Sequence, residues 1–186
     1  MTKEDFALPD LEDFENKITP QTKAILICNP GNPTGVLYPR EALLRLKSIA
    51  EKHDLFLIAD EVYREFAYDG HQHASCLGLE GFEQNVIVVD SISKRFSACG
   101  ARIGCVISRN EQLMSLVLKQ AQARLSPPTL GQVGAAEMYQ LPASYYDEVA
   151  QEYAARRDLL KSALDQMEGV VCPKVNGAFY AMVRLP

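Results

Sequence analysis

Four short and uninterrupted apolar runs are the feature that most constrains the fold of this chain. They read KAILIC at 23–28, LFLIAD at 55–60, VIVVDS at 86–91 and IGCVIS at 103–108. A segment with helical spacing of its apolar residues, 40–53, separates the first two runs. Strands that are apolar at every position are typical of parallel sheets whose two faces are both covered by helices. The sequence therefore predicts an α/β fold with a mostly parallel sheet and helices on both faces.

The chain beyond residue 110 is predicted to be mostly helical. A long periodic segment over 143–168 contains neither proline nor glycine, and Gly169 is expected to end it, since glycine is common just after a helix. The residues that follow resemble two short strands of a new element. Two shorter helices are expected before the long one, over 111–125 and 130–141.

The chain is expected to divide into two units, residues 1–142 and residues 143–186. The first is interpreted as part of a large domain, and the second as a long bridging helix followed by the start of a small α+β domain. A chain of 186 residues is long enough for one sizeable core. The net charge of −5 gives no indication of a nucleic-acid partner.

The location of the protein is predicted from what its sequence lacks. No apolar stretch is long enough for a membrane span, and the acidic N-terminal segment does not resemble a signal peptide. The five cysteines are scattered, and no two of them form a Cys-x-x-Cys pair. We therefore expect reduced thiols in a cytoplasmic protein that has no membrane partner.

Polar side chains follow three of the predicted strands. Ligands of open parallel sheets bind beyond the carboxyl ends of the strands. If the three strands are parallel neighbours, the polar side chains at their ends converge on one crevice. These residues are Asn32 in NPGNPTG, Asp60 and Tyr63 in DEVY, and Ser91, Ser93 and Lys94 in SISK, with Arg102 eight residues after the lysine.

The residue types in this set fit one cofactor, pyridoxal 5′-phosphate. A lysine amine forms a Schiff base with an aldehyde, and an aspartate keeps a pyridine nitrogen protonated. A phenol and an amide can donate to a ring oxygen, while serine hydroxyls and an arginine can bind a phosphate. The predicted arrangement therefore has Lys94 on the aldehyde and Asp60 on the ring nitrogen, with Ser91, Ser93 and Arg102 on the phosphate.

Each of these residues also has an ordinary structural explanation. A lysine or an arginine is usually a solvated surface residue, and an aspartate or an asparagine next to glycine and proline is common in turns. A tyrosine is most often a half-buried core residue, and loop serines bond the local backbone. The coincidence of residue type, order and position at strand ends favours the cofactor site. No metal site is expected, because His71 and His73 have no ligand partner at suitable spacing.

The motifs NPGNPTG, ADEVY, SISKRFSACGARIG and NGAFY resemble those of the class I and II aminotransferases, which are fold-type I pyridoxal-phosphate enzymes. The resemblance covers essentially the whole chain. It implies that Asn32 and Tyr63 bind the ring hydroxyl and that Asp60 binds the ring nitrogen. It also implies that Lys94 carries the cofactor and moves the substrate proton, so Lys94 and Asp60 are the expected catalytic residues. Ser91 and Arg102 would bind phosphate, with Ser93 as a weaker candidate.

The resemblance implies amino-group transfer between an amino acid and a 2-oxo acid, by an enzyme that is a homodimer at full length. Members of the family are roughly twice as long as this chain. Their glycine-rich phosphate loop and ring-stacking aromatic residue lie upstream of the first motif, and their carboxylate-binding arginine lies downstream of the last. We therefore expect a central portion of an aminotransferase, weakly active or inactive alone. A pyridoxal-phosphate-dependent lyase of the same fold and a catalytically silent folded fragment are the alternatives.

Overall fold

The computed structural model describes residue 8 and residues 10–186, and these residues form one sheet of four strands in the order β1-β2-β3-β4. The first three strands are parallel and the fourth is antiparallel to the third. The predicted mostly parallel α/β sheet is confirmed. The strands are β1 (Ala24–Cys28), β2 (Phe56–Asp60), β3 (Val86–Ser91) and β4 (Gly104–Ile107).

The fourth strand reverses because its connection to the third is short. A parallel neighbour needs a crossover long enough to return the chain to the other end of the sheet. Only two single helical turns separate β3 from β4, and they leave the chain at the same end. The helices are α1 (Leu11–Glu15), α2 (Arg40–Lys52), α3 (Ile92–Arg95), α4 (Glu111–Ala123), α5 (Thr129–Met138) and α6 (Ala143–Leu164), with 3₁₀ turns at Cys76–Gly78, Glu83–Asn85 and Cys99–Ala101.

The main core lies between α2 and one face of the sheet. Leu43, Leu46 and Ala50 are buried and lie on one side of α2, as the helical spacing predicts. They share a cluster with alternate residues of the strands, because successive strand residues point to opposite faces. The opposite face is less fully covered by the described residues, and Leu26 on β1 is 69% exposed there. The buried strand residues are Ile25, Ile27, Leu57, Ala59, Val86 and Val88.

The C-terminal region differs in detail from its predicted elements. The long helix α6 ends at Leu164 and is capped by Asp165, so the prediction that Gly169 ends it is wrong. Gly169 instead adopts a positive φ of 74° in the turn beyond the helix. The two short strands expected after it are reduced to isolated bridges, one between Val171 and Arg184 and one between Ala67 and Gly177. None of the described helices is both long and apolar enough to cross a membrane.

Candidate functional site

The ends of the three parallel strands lie side by side. Cys28 on β1 is paired with Asp60 on β2, and Asp60 is paired with Val89 on β3. The residues that follow each strand therefore emerge at one edge of the sheet, as the sequence predicts.

The loop after β1 is anchored by Asn29, a fully buried residue. Its backbone N–H donates to the carbonyl of Asp60 at 2.9 Å. Its side-chain Nδ2 donates to the carbonyl of Ala74 at 3.2 Å, and its Oδ1 accepts from the backbone N–H of Tyr38 at 3.0 Å. Every polar group of the side chain is thus used to hold the loop that carries Asn32 against the end of β2.

The turn after β2 brings Tyr63 to Asn32. Asp60 Oδ1 accepts a hydrogen bond from the backbone N–H of Val62 at 3.1 Å, which starts the turn. The backbone N–H of Phe66 donates to the carbonyl of Tyr63 at 2.8 Å and continues it. Asn32 Nδ2 lies 3.4 Å from the Tyr63 hydroxyl, close enough to donate to it.

The third strand end carries Lys94 on the single-turn helix α3. Ser91 caps this helix, since its Oγ accepts from the backbone N–H of Ser93 at 3.2 Å. Lys94 Nζ lies 5.8 Å from the centroid of the Tyr63 ring and 5.9 Å from that of Phe179. An ammonium at this distance is attracted by the face of an aromatic ring. The Lys94 amine, after β3, therefore lies beside the ring of Tyr63, which follows β2.

The neighbour of Lys94 fixes the helix that carries it. Arg95 is buried, and its guanidinium pairs with the carboxylate of Asp90 on β3 and lies 3.5 Å from that of Glu65. A planar guanidinium held by two carboxylates leaves little freedom to the turn on which it sits. Arg95 thus holds α3 against the sheet while the Lys94 side chain points towards the aromatic rings.

Arg102 is less directly tied to the other residues. It follows a 3₁₀ turn with a left-handed backbone (φ 56°), is exposed, and donates through Nη1 to the carbonyl of Cys99 at 2.8 Å. The antiparallel register of β3 and β4 pairs Ser91 with Gly104, two residues beyond Arg102. The backbone therefore returns Arg102 to the strand end that carries Ser91, while its guanidinium bonds the carbonyl of Cys99 in the preceding turn.

A segment near the end of the chain crosses the loops of the first two strand ends. The backbone N–H of Gly177 donates to the carbonyl of Gly35 at 2.9 Å, and that of Ala178 donates to the carbonyl of Phe66 at 2.9 Å. A Cβ atom at Gly177 would lie 2.7 Å from Cβ of Pro30, so only glycine fits there. The NGAFY motif is thus packed against NPGNPTG.

This segment contributes two residues that sequence reasoning missed. The Tyr180 hydroxyl lies 2.6 Å from the Tyr63 hydroxyl, and the Phe179 ring packs edge-on at 5.2 Å from the Tyr63 ring. Burial is the main cause that raises the pKa of Tyr63, and the hydrogen bond with the Tyr180 hydroxyl is the second. Tyr63 therefore stays a neutral phenol that can donate a hydrogen bond. Both residues lie in the NGAFY motif, which marks this segment in the sequence, but the motif alone assigns no role to its aromatic residues.

The donor set at this edge of the sheet fits a substituted pyridine. It contains the Lys94 amine beside the Tyr63 phenol, to which the Asn32 amide is close enough to donate. The Asp60 carboxylate lies at the end of β2, and the Ser91 hydroxyl lies at the end of β3. The sequence matches the profile of the family described as Aminotransferase class I and II over residues 2–186. The chain belongs to the class I and II aminotransferases. Enzymes of this family depend on pyridoxal 5′-phosphate.

Curated aminotransferases resemble the chain over nearly its whole length. A putative aminotransferase of Bacillus subtilis is 34% identical over 169 residues, which are 91% of this chain and 43% of the relative. The aspartate/prephenate aminotransferase of Thermus thermophilus is 34% identical over 179 residues, which are 95% of this chain and 46% of the relative. The chain thus spans a little under half the length of these relatives.

Solved aminotransferase structures share the fold. The aspartate aminotransferase from Thermus thermophilus with maleate is 31% identical with a TM-score of 0.85, over 95% of this chain and 46% of that one. The aromatic aminotransferase from Pyrococcus horikoshii is 32% identical with a TM-score of 0.87, over 95% of this chain and 48% of that one. These aminotransferases therefore have the same arrangement of elements as the described sheet and helices.

Proposed function

We propose that the protein is part of a pyridoxal-phosphate-dependent aminotransferase that moves an amino group between an amino acid and a 2-oxo acid. The observation that carries the proposal is the meeting of three strand-end residues. Lys94 Nζ lies 5.8 Å from the Tyr63 ring, and Asn32 lies 3.4 Å from the Tyr63 hydroxyl. A lysine placed beside hydrogen-bond donors for a ring oxygen is what binding of this cofactor requires.

The chain's residues divide the binding task by chemistry. Asn32 and the neutral Tyr63 phenol donate to the ring oxygen, and the Asp60 carboxylate accepts from a protonated ring nitrogen. The Ser91 hydroxyl, whose oxygen caps α3, still has its own proton to donate to a phosphate. Ser93 and the Arg102 guanidinium are the further phosphate ligands of this proposal, with Arg102 turning away from the carbonyl of Cys99.

The catalytic task falls to Lys94 and Asp60. When bound, pyridoxal phosphate supplies an electron sink that stabilises negative charge on the substrate carbon. Lys94 Nζ would hold the cofactor, and as a free amine it would take up and later return the proton of the substrate α-carbon. Asp60 keeps the ring nitrogen protonated throughout.

The names of the relatives suggest which substrates to test first. They include aspartate, aspartate/prephenate and aromatic-amino-acid aminotransferases. We propose an acidic or aromatic amino acid as the donor and a 2-oxo acid as the acceptor. A homodimeric full-length enzyme and a cytoplasmic location remain predictions.

A half-reaction separates this function from its alternatives. The purified chain is titrated with pyridoxal phosphate, and aspartate or an aromatic amino acid is then added without a 2-oxo acid while the cofactor's absorbance is followed. Because the chain alone is expected to be weakly active or inactive, we expect any absorbance change on adding the amino acid to be slow, and we expect 2-oxoglutarate to reverse it. Ammonia release with a 2-oxo product would favour the lyase. A cofactor spectrum that never responds would favour the silent fragment.

Asp60→Asn is expected to slow this half-reaction by at least about 10²-fold while cofactor affinity changes much less. A neutral amide cannot hold the ring nitrogen in its protonated form, yet it keeps the size of the side chain. Asp54→Asn is the matched control, because Asp54 is an exposed residue with φ 51°, a conformation that asparagine tolerates. A near-wild-type rate for Asp60→Asn would show that Asp60 does not bind the ring nitrogen.

A further inference from the structure

The residue that follows Asp60 forms a buried acid–base pair with a histidine. Glu61 is fully buried, and the side chain of His73 is 8% exposed. Glu61 Oε2 and His73 Nε2 lie 3.6 Å apart, and each lacks a hydrogen-bond partner among the described residues. The sequence placed His73 in a polar loop, and its burial against a carboxyl group was not predicted.

The remaining polar atoms of the pair are already used. Glu61 Oε1 accepts from the Ser75 hydroxyl at 3.1 Å and from the backbone N–H of Cys76 at 2.8 Å. The backbone of Asn29 lies near the His73 ring and favours its protonated form, although burial has the larger and opposite effect on the pKa of His73. The two unpaired atoms therefore face each other, and buried polar atoms in native proteins are almost always paired.

The charges around the pair are already balanced. Two arginines, Arg64 and Arg95, face two carboxylates, Asp90 and Glu65. Arg64 lies 3.8 Å from Asp90 and 3.6 Å from Glu65, and Arg95 contacts the same two carboxylates. A net charge on the pair would be an uncompensated buried charge, which is strongly unfavourable. A pair with one proton in total has none.

We propose that Glu61 and His73 hold one proton between them across the neutral pH range, carried by the Glu61 carboxyl group and directed at His73 Nε2. The directions of the two pKa values agree with this arrangement. Burial raises the pKa of Glu61, and burial together with the nearby Arg64 lowers the pKa of His73 to about 4. Burial also raises the pKa of the adjacent Cys76 thiol to about 12, so this thiol stays protonated.

The pair also positions the end of β2. The backbone N–H of Glu61 donates to the carbonyl of Val89 on β3 at 3.0 Å, while its side chain binds the loop at Ser75 and Cys76. Glu61 thus ties the peptide next to Asp60 both to the neighbouring strand and to a loop 15 residues further along the chain. Any effect of these bonds on catalysis by Asp60 rests on the proposed function, whereas the shared proton does not.

The shared proton predicts how the folding stability depends on pH. The ordinary pKa values of the two side chains are 4.5 and 6.5. Between about pH 4.5 and about pH 6.5 the unfolded chain carries one proton on His73, and the folded pair also carries one, so the pair adds no pH dependence. Above about pH 6.5 the unfolded chain has lost its proton, and stability falls as pH rises. Below about pH 4.5 the unfolded chain holds two protons, and stability falls as pH decreases.

Replacing Glu61 by glutamine changes this profile in a specific way. The glutamine amide can still donate to His73 and accept from Ser75, but it neither gains nor loses a proton in this pH range. The folded variant then holds no proton on the pair, while the unfolded chain gains one on His73 below about pH 6.5. The variant should therefore lose stability, relative to the wild type, as pH falls from about 6.5 to about 4.5.

The test is the thermal midpoint of the 186-residue chain between about pH 4.5 and about pH 8, without cofactor, for the wild type, Glu61→Gln and Glu41→Gln. Glu41 is exposed in the first turn of α2 and should leave the profile unchanged. We expect the gap between the wild type and Glu61→Gln to widen as the pH is lowered. A gap that stays constant over this range would overturn the proposal.

A spectroscopic measurement keeps the proposal testable if Glu61→Gln does not fold. In ¹⁵N NMR of the wild-type protein, we expect the His73 ring to remain neutral, with Nε2 as the unprotonated nitrogen, between about pH 5 and about pH 8. A ring that titrates near its ordinary value, or that is doubly protonated at neutral pH, would contradict it. Neither experiment uses the cofactor, so both outcomes are independent of the proposed aminotransferase activity.

Discussion

We expect that replacing Lys94 by alanine abolishes the covalent attachment of pyridoxal phosphate. Borohydride reduction of the wild-type protein with the cofactor should leave a stable label, and peptide mapping should find it on Lys94. The reason is geometric, since Lys94 Nζ lies 5.8 Å from the centroid of the Tyr63 ring and 5.9 Å from that of the Phe179 ring, at the edge where the strand-end donors meet. Any amino-transfer rate should fall by at least about 10³-fold, because the variant has no amine to move the substrate proton.

Lys119→Ala is the control for this experiment. Lys119 is exposed on α4, so its loss should leave the label on Lys94 and the reaction unchanged. Lys47 is a further internal comparison, since its Nζ already donates to the carbonyl of Glu80 at 2.8 Å. A reduced label on Lys47 or Lys119 in the wild-type protein would show that Lys94 is not the attachment site.

Leu46→Ala should destabilise the fold by about 2–5 kcal/mol, the usual range for deleting a large buried side chain. Leu46 is 0% exposed on α2 and belongs to the cluster between this helix and the sheet. Its removal leaves a cavity beneath strands that cannot collapse to fill it, because they are held by their ladder hydrogen bonds. Urea unfolding followed by circular dichroism measures the change in the free energy of unfolding.

Leu44→Ala controls for the change of residue type within the same helix. Leu44 is 43% exposed, and alanine is at least as good a helix former as leucine, so the cost should stay below about 1 kcal/mol. Equal losses for the two variants would mean that α2 does not pack on the sheet through the Leu46 side.

The strands and the site at their ends could be predicted because both depend on short stretches of sequence. Each apolar run is long enough to form a buried strand by itself, and the polar residues follow within a few positions. The order of the strands then brings Asn32, Tyr63 and Lys94 together, which the alignment of Cys28 with Asp60 shows directly. Local patterns therefore predicted a contact between distant segments.

The features that were missed depend on contacts that no local pattern encodes. His73 lies in a segment of polar composition, and only the position of Glu61 behind the sheet explains its burial. The end of α6 at Leu164 was also not evident, because residues 165–168 lack a helix breaker. The segment after α6 pairs with loops at Gly35 and Phe66 instead of forming its own strands.

The bond between Tyr63 and Tyr180 has a consequence for the order of folding. The two residues are 117 positions apart, and the hydrogen bond from the Tyr68 hydroxyl to Ala178 spans 110. Contacts of such high sequence separation require a large loop to close, and they form slowly compared with local ones. During synthesis the sheet edge with Asn32, Asp60 and Lys94 can form while the segment that completes its aromatic wall is still in the ribosome. These aromatic residues are therefore added to the candidate site about 120 positions after its first loop hydrogen bonds become available.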